Sequence, residues 1–135
     1  MVKVKKEIAD KLSKLNIKIF ADGADLKSIL DLNNKKFIKG FTTNPSLMKK
    51  SGIKNYKSFA KELLSQINDK PISFEVFADD LLDMERQANE IATWGDNVYV
   101  KIPITNTKGK STHNLVNKLL KSQISCNVTA IFTVP

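Results

Sequence analysis

An α/β fold built on parallel strands is predicted by two features of the sequence. Five short β-like runs alternate with longer segments of helical period, and most runs divide into one apolar face and one face that ends in a polar residue. The runs cover residues 17–22, 37–44, 72–78, 98–104 and 124–132. Strands joined through helices re-enter a sheet in the same direction, so the alternation itself predicts parallel pairing.

The elements follow in order. Ile8, Leu12 and Leu15 stand at helical spacing and predict a helix over residues 1–16, ahead of the first strand. In that strand Ile17, Ile19 and Ala21 share a face and Asp22 falls on the other. Asp25 can cap the helix LKSILDL. The second run is less regular, since Lys39 falls between Phe37 and Phe41, but Thr42 and Asn44 occupy its C-terminal end on the opposite face. Asn55 can cap YKSFAKELLSQI, whose Tyr56, Phe59, Leu63 and Ile67 make one stripe. In the third strand Ile72, Phe74 and Val76 alternate with Glu75, and Asp80 can cap LLDMERQANEIATW. Val98, Val100 and Ile102 alternate with Lys101 in the fourth strand. A helical stripe through Leu115, Val116, Leu119 and Leu120 then leads to the fifth, where Cys126, Val128, Ala130 and Phe132 oppose Thr129. Residues 1–135 read as one domain without linker or low-complexity tract.

Composition narrows the function. With 135 residues, 41% hydrophobic, 5 Gly and 4 Pro, the chain is that of an ordinary globular domain. No apolar run reaches the roughly 20 residues that span a bilayer, and MVKVKKEIADKL lacks the apolar centre of a secretory signal, so a cytoplasmic protein without a membrane partner is expected. One Cys, Cys126, and one His, His113, allow neither an internal disulfide nor a zinc spacing, and no metal or cofactor is implied. The net charge of +8 would favour phosphates, but the Lys residues are scattered, Arg86 is the only Arg and no aromatics are interleaved as stacking platforms. Nucleic acid is therefore not the expected partner, whereas anionic small substrates such as sugar phosphates suit a positive field.

Polar residues at the C-terminal ends of parallel strands converge on one mouth, where barrel enzymes place catalysis. Here they are Asp22, Thr42 with Asn44, Glu75, Lys101 and Thr129. Desolvation inside VYVKIPI favours the neutral, nucleophilic form of an amine, which can attack a carbonyl and form a Schiff base. Each residue alone also has a structural explanation. Lys101 can snorkel or neutralise Glu75, Asp22 can stabilise a turn with Gly23, Asn44 can form an Asx-turn before Pro45, and Thr129 is an ordinary β-former. Glu75, between Phe74 and Val76, needs a buried partner or a purpose. The Asp79–Asp80 pair is expected to begin a helix.

The local sequences around these residues carry a resemblance. GFTTNPSLM (residues 40–48) is similar to the strand-two signature of the transaldolase family, and VYVKIPIT (residues 98–105) resembles the signature around that family's Schiff-base lysine. FADGAD, SFEVFADD and NVTAIF resemble its first, third and fifth strand ends, in the right order. Phe41 departs from the family in standing where a smaller residue is usual, and the loop TNTKGK is slightly longer than in the short aldolase-like members. The resemblance implies a (β/α)8 TIM-type barrel of which the first five strands are present. It implies a dihydroxyacetone transfer from a ketose phosphate to an aldose phosphate, a step of the pentose phosphate pathway. Lys101 would form the Schiff base, Asp22 take the C4 hydroxyl proton, Glu75 and Thr129 move protons through a water, and Asn44 and Thr42 bind substrate. The family's aldolase branch, the fructose-6-phosphate aldolases, is expected to carry Gln where Glu75 stands, which favours the transaldolase branch.

Such a barrel has eight strands in roughly 200–250 residues or more. A chain ending at FTVP after five strands is expected to be an incomplete form, lacking the basic residues that hold substrate phosphate in relatives. The alternatives are a short chain that closes its sheet with a second copy or a complementing half-barrel, and a non-catalytic remnant. Open edges on the first and fifth strands lead to the expectation that an isolated chain is poorly stable or prone to associate.

Overall fold

The computed structural model describes residues 8, 10–12, 14–23, 25–50 and 52–133. The element order is β1 (Ile19–Gly23), α1 (Leu26–Asn33), β2 (Ile38–Thr43), α2 (Pro45–Lys50), α3 (Tyr56–Gln66), β3 (Ile72–Glu75), α4 (Leu81–Ala92), β4 (Val98–Pro103), α5 (His113–Lys121) and β5 (Cys126–Thr129). All neighbouring strands pair in parallel and in chain order, β1-β2-β3-β4-β5, and the sheet curls into half of a barrel. Of the helix expected over residues 1–16, residues 8 and 10–12 are helical and residues 1–7, 9 and 13 lie outside the described set.

Helix starts follow the side chains that can satisfy their first N–H groups. The Asp25 carboxylate accepts from the Ser28 N–H at 2.9 Å, the Asn55 amide oxygen from the Ser58 N–H at 2.9 Å, and the Asp80 carboxylate from the Leu82 N–H at 2.9 Å. At α5 the pattern differs. Thr112 precedes the helix but donates its hydroxyl backwards to the Pro103 and Ile104 carbonyls, at 2.6 and 3.0 Å, and so ties α5 to the end of β4.

The core lies between the convex face of the sheet and the helices. Phe41, Ile72, Phe74, Val100 and Ile102 meet Leu63 and Ile67 of the α3 segment, Met84, Ala88 and Ile91 of α4, and Leu115 and Leu119 of α5. Burial of each such Leu, Ile or Phe side chain stabilises the fold by roughly 1.5–3 kcal/mol. The strand alternation read from the sequence therefore holds for β3 and β4.

Three stretches depart from it. Ile17 is exposed and lies outside β1. In β2 the register passes from Ile19↔Ile38 to Phe20↔Gly40, so Lys39 is the extra residue of a β-bulge, and that is why the second run broke alternation. Beyond the bulge Phe41 and Thr43 face the helices, while Gly40 and Thr42 face inward; a Cβ on Gly40 would run into the ring of Phe20. β5 ends at Thr129 because Ala130 takes φ 59°, which is not extended backbone, and Ile131 and Phe132 then stand exposed. Among the described residues no helix is long and apolar enough to cross a membrane, and no group of three His, Cys, Asp or Glu could hold a metal ion.

Candidate active site

Where a parallel sheet curls, inward side chains from neighbouring strands approach one another, and the polar ones gather near the strand C-termini. Asp22 and Thr42 are register partners on β1 and β2, and the Thr42 hydroxyl donates to the Asp22 carboxylate at 3.0 Å. Glu75 and Lys101 are register partners on β3 and β4, with Lys101 Nζ 3.7 Å from Glu75 Oε2. That separation is an ion pair and not a direct hydrogen bond. Only 18% of the Lys101 side chain and 31% of that of Glu75 is exposed, which strengthens their attraction relative to a surface pair.

Asn127 of β5 is the register partner of Lys101 on its other side, and its Nδ2 donates to Ser73 Oγ of β3 at 3.0 Å. Strands two apart in a flat sheet are separated by about 10 Å. Direct hydrogen bonding between β3 and β5 therefore reports the curl. A cavity of about 420 Å³ has Phe20, Thr42, Ser73, Tyr99 and Asn127 in its wall, and neither Lys101 nor Glu75 lines it. Neither Ser73 nor Asn127 was singled out by sequence reasoning, although each shares a strand face, two residues away, with one that was: Ser73 with Glu75, and Asn127 with Thr129.

The remaining residues stand at the rim. Thr129 is the last residue of β5 and pairs with Pro103, one step beyond Lys101 on the inward face. Asn44 lies one residue past the end of β2, and its amide oxygen accepts from the Ser46 N–H at 3.0 Å. It therefore makes the turn into α2 that its position before Pro45 suggests. Asp80 caps α4, whereas Asp79 has a separate task. Its carboxylate accepts from the Thr107 N–H and hydroxyl, both at 2.8 Å, and its carbonyl from Asn106 Nδ2 at 3.2 Å, so the β3–α4 loop clasps the loop after Lys101. These bonds, from the Thr107 N–H first, hold the Asp79 carboxyl below the usual range.

The site thus joins two adjacent pairs, a carboxylate with a hydroxyl on β1 and β2, and a carboxylate with an amine on β3 and β4. An amine and an acid side by side can exchange a proton, leaving a neutral nucleophile and a proton donor within reach of the same carbonyl. A second cavity, of about 510 Å³, lies between Pro45, Met48, Tyr56 and Phe77; its charged lining residues are Lys49 and Lys54.

Comparison with known proteins assigns the chain to a family. The family described as Transaldolase/Fructose-6-phosphate aldolase matches residues 19–135. A probable transaldolase of Dehalococcoides mccartyi is 36% identical over 118 residues, covering 87% of this chain and 53% of the relative. Probable transaldolases of Thermoanaerobacter sp. and Methanococcus maripaludis are 43% and 41% identical over 117 residues, covering 87% of this chain and 51% and 52% of their own lengths. The chain spans about half the length of the curated relatives it matches. From residue 19 to its last residue, the chain belongs to the transaldolase/fructose-6-phosphate aldolase family.

Proposed function

We propose that the protein transfers a dihydroxyacetone unit from a ketose phosphate to an aldose phosphate through a Schiff base on Lys101. The observation that carries this reading is the Lys101–Glu75 pair on the inward face of β3 and β4, beside the Asp22–Thr42 pair. The Lys101 ammonium passes a proton to Glu75, and the neutral amine adds to the C2 ketone to form a carbinolamine. Glu75, through a water that Thr129 helps to hold, returns a proton to the departing hydroxyl, and water leaves as the iminium forms. Asp22 takes the proton of the C4 hydroxyl. The C3–C4 electron pair then moves into the iminium, an aldose leaves, and an enamine remains on Lys101. Addition of the enamine to a second aldehyde, followed by hydrolysis, reverses these steps. Asn44 and Thr42 bind substrate hydroxyls, and Thr42 also orients Asp22.

Product analysis tests the reading. The protein incubated with a ketose phosphate and an acceptor aldose phosphate should yield a new ketose three carbons longer than the acceptor. Free dihydroxyacetone as the main product would instead assign the aldolase-like lyase reaction.

A further inference from the structure

Tyr56 begins α3, and its ring lies edge-on to Phe74, Phe77 and Trp94, at centroid distances of 5.9, 5.0 and 5.7 Å. That cluster accounts for the ring and leaves the hydroxyl to be explained. The hydroxyl accepts the Glu75 N–H at 2.8 Å and stands 3.0 Å from Thr43 Oγ1. Thr43, fully buried, gives its own hydroxyl proton to the Ser73 carbonyl at 2.9 Å. A threonine hydroxyl has one proton, so in the bond between the two hydroxyls Tyr56 is the donor. Burial pushes the Tyr56 phenol up to about 12, which keeps that proton in place at neutral pH.

The geometry of the sheet explains why a hydroxyl is needed there. Successive N–H groups along a parallel strand point to alternate sides. The Ile72 and Val76 N–H groups donate towards β4, at the carbonyls of Asn97, just before it, and Lys101, within it (3.0 and 3.2 Å), so the N–H of Glu75 faces β2. β2 ends at Thr43, and its pairing with β3 ends at Thr42↔Ser73. The Tyr56 hydroxyl takes the place of the ladder acceptor at the point where β2 and β3 part.

We infer that Tyr56 is a positioning residue for Glu75, fixing the end of β3 so that the carboxylate is held at the Lys101 amine. The inference rests on the reading of Glu75 as the proton carrier. Loss of the hydroxyl should therefore slow the proton-transfer steps and spare substrate binding.

The test is Tyr56→Phe in the full protein that the gene encodes, since the ring cluster is kept and only the hydroxyl is lost. We expect kcat to fall about tenfold with KM within about twofold, and hydrogen exchange at the Glu75 amide to rise. In a Glu75→Gln background the same substitution should add less than about a twofold loss, because the two residues act as one unit. An unchanged kcat for folded Tyr56→Phe, or losses that multiply in the double variant, would overturn the positioning role. A Glu75→Gln variant with unchanged kcat would overturn the assignment of Glu75 itself, which separates the two failures. Should Tyr56→Phe not fold, Thr43→Val removes the acceptor that orients the Tyr56 hydroxyl. It should give a smaller loss in kcat of the same kind, and no loss would count against the inference.

Discussion

Lys101 Nζ lies 3.7 Å from Glu75 Oε2, across two strands on which these residues are register partners. Because the register sets the pair, its geometry is a property of the sheet and not of two long side chains meeting by chance. The pairing sets an amine beside a carboxylate on adjacent strands, although a whole helix separates the two in the chain.

Glu75→Gln keeps the shape of the side chain and removes its proton chemistry. It is expected to lower kcat by about 10²-fold or more, the range for loss of a general acid–base group. Steady-state rates with a ketose phosphate donor check this, and a rate within a factor of two of the parent would remove Glu75 from the proton path.

Asp22→Asn separates imine formation from carbon–carbon cleavage. Lys101 should still react, but borohydride should trap the whole ketose and not its three-carbon fragment, as intact mass will show. Thr42→Val, which removes the hydroxyl 3.0 Å from Asp22, should shift the same ratio less.

Much of this arrangement was legible in the sequence because it follows from short-range rules. Asp25, Asn55 and Asp80 cap the helices that their positions announce, and the alternation around Glu75 and Lys101 puts both on the inner face. The rest depends on relations between strands. A bulge at Lys39 shifts the phase of β2, and nothing in its own residues distinguishes a bulge from a poor strand. The Asn127–Ser73 bond spans two strand intervals and exists only because the sheet curls. Tyr56 was legible as part of a helical stripe with Phe59, Leu63 and Ile67, but periodicity says nothing of a hydroxyl that reaches between two strands. Asp79 likewise looked like half of a helix start and is the clasp of a neighbouring loop.

That clasp has a pH dependence of definite sign. Hydrogen bonds from Thr107 hold the Asp79 carboxyl below its ordinary value, so the folded state favours the ionised form. The stabilisation is fully present above the ordinary aspartate value of about 3.9 and is lost as pH falls through the lower folded value. Protection of the Thr107 amide from exchange should persist at pH 5 and disappear only below about pH 4. Loss between pH 7 and 5 would contradict the assignment.

Gly40 tests the bulge. A methyl group there meets the Phe20 ring, and Gly40→Ala should destabilise the fold by about 1–3 kcal/mol in denaturant titration, as overpacking does. A neutral result would mean that β1 and β2 can separate at Phe20 without loss.

Reductive trapping at Lys101 bears most directly on the proposed chemistry. The protein is incubated with a ketose phosphate or dihydroxyacetone, reduced with borohydride and mapped by peptide mass. A fragment attached to Lys101, and absent after Lys101→Ala, is the predicted result. Labelling that survives Lys101→Ala, or a folded and substrate-exposed protein that takes up no label, would contradict the Schiff-base account.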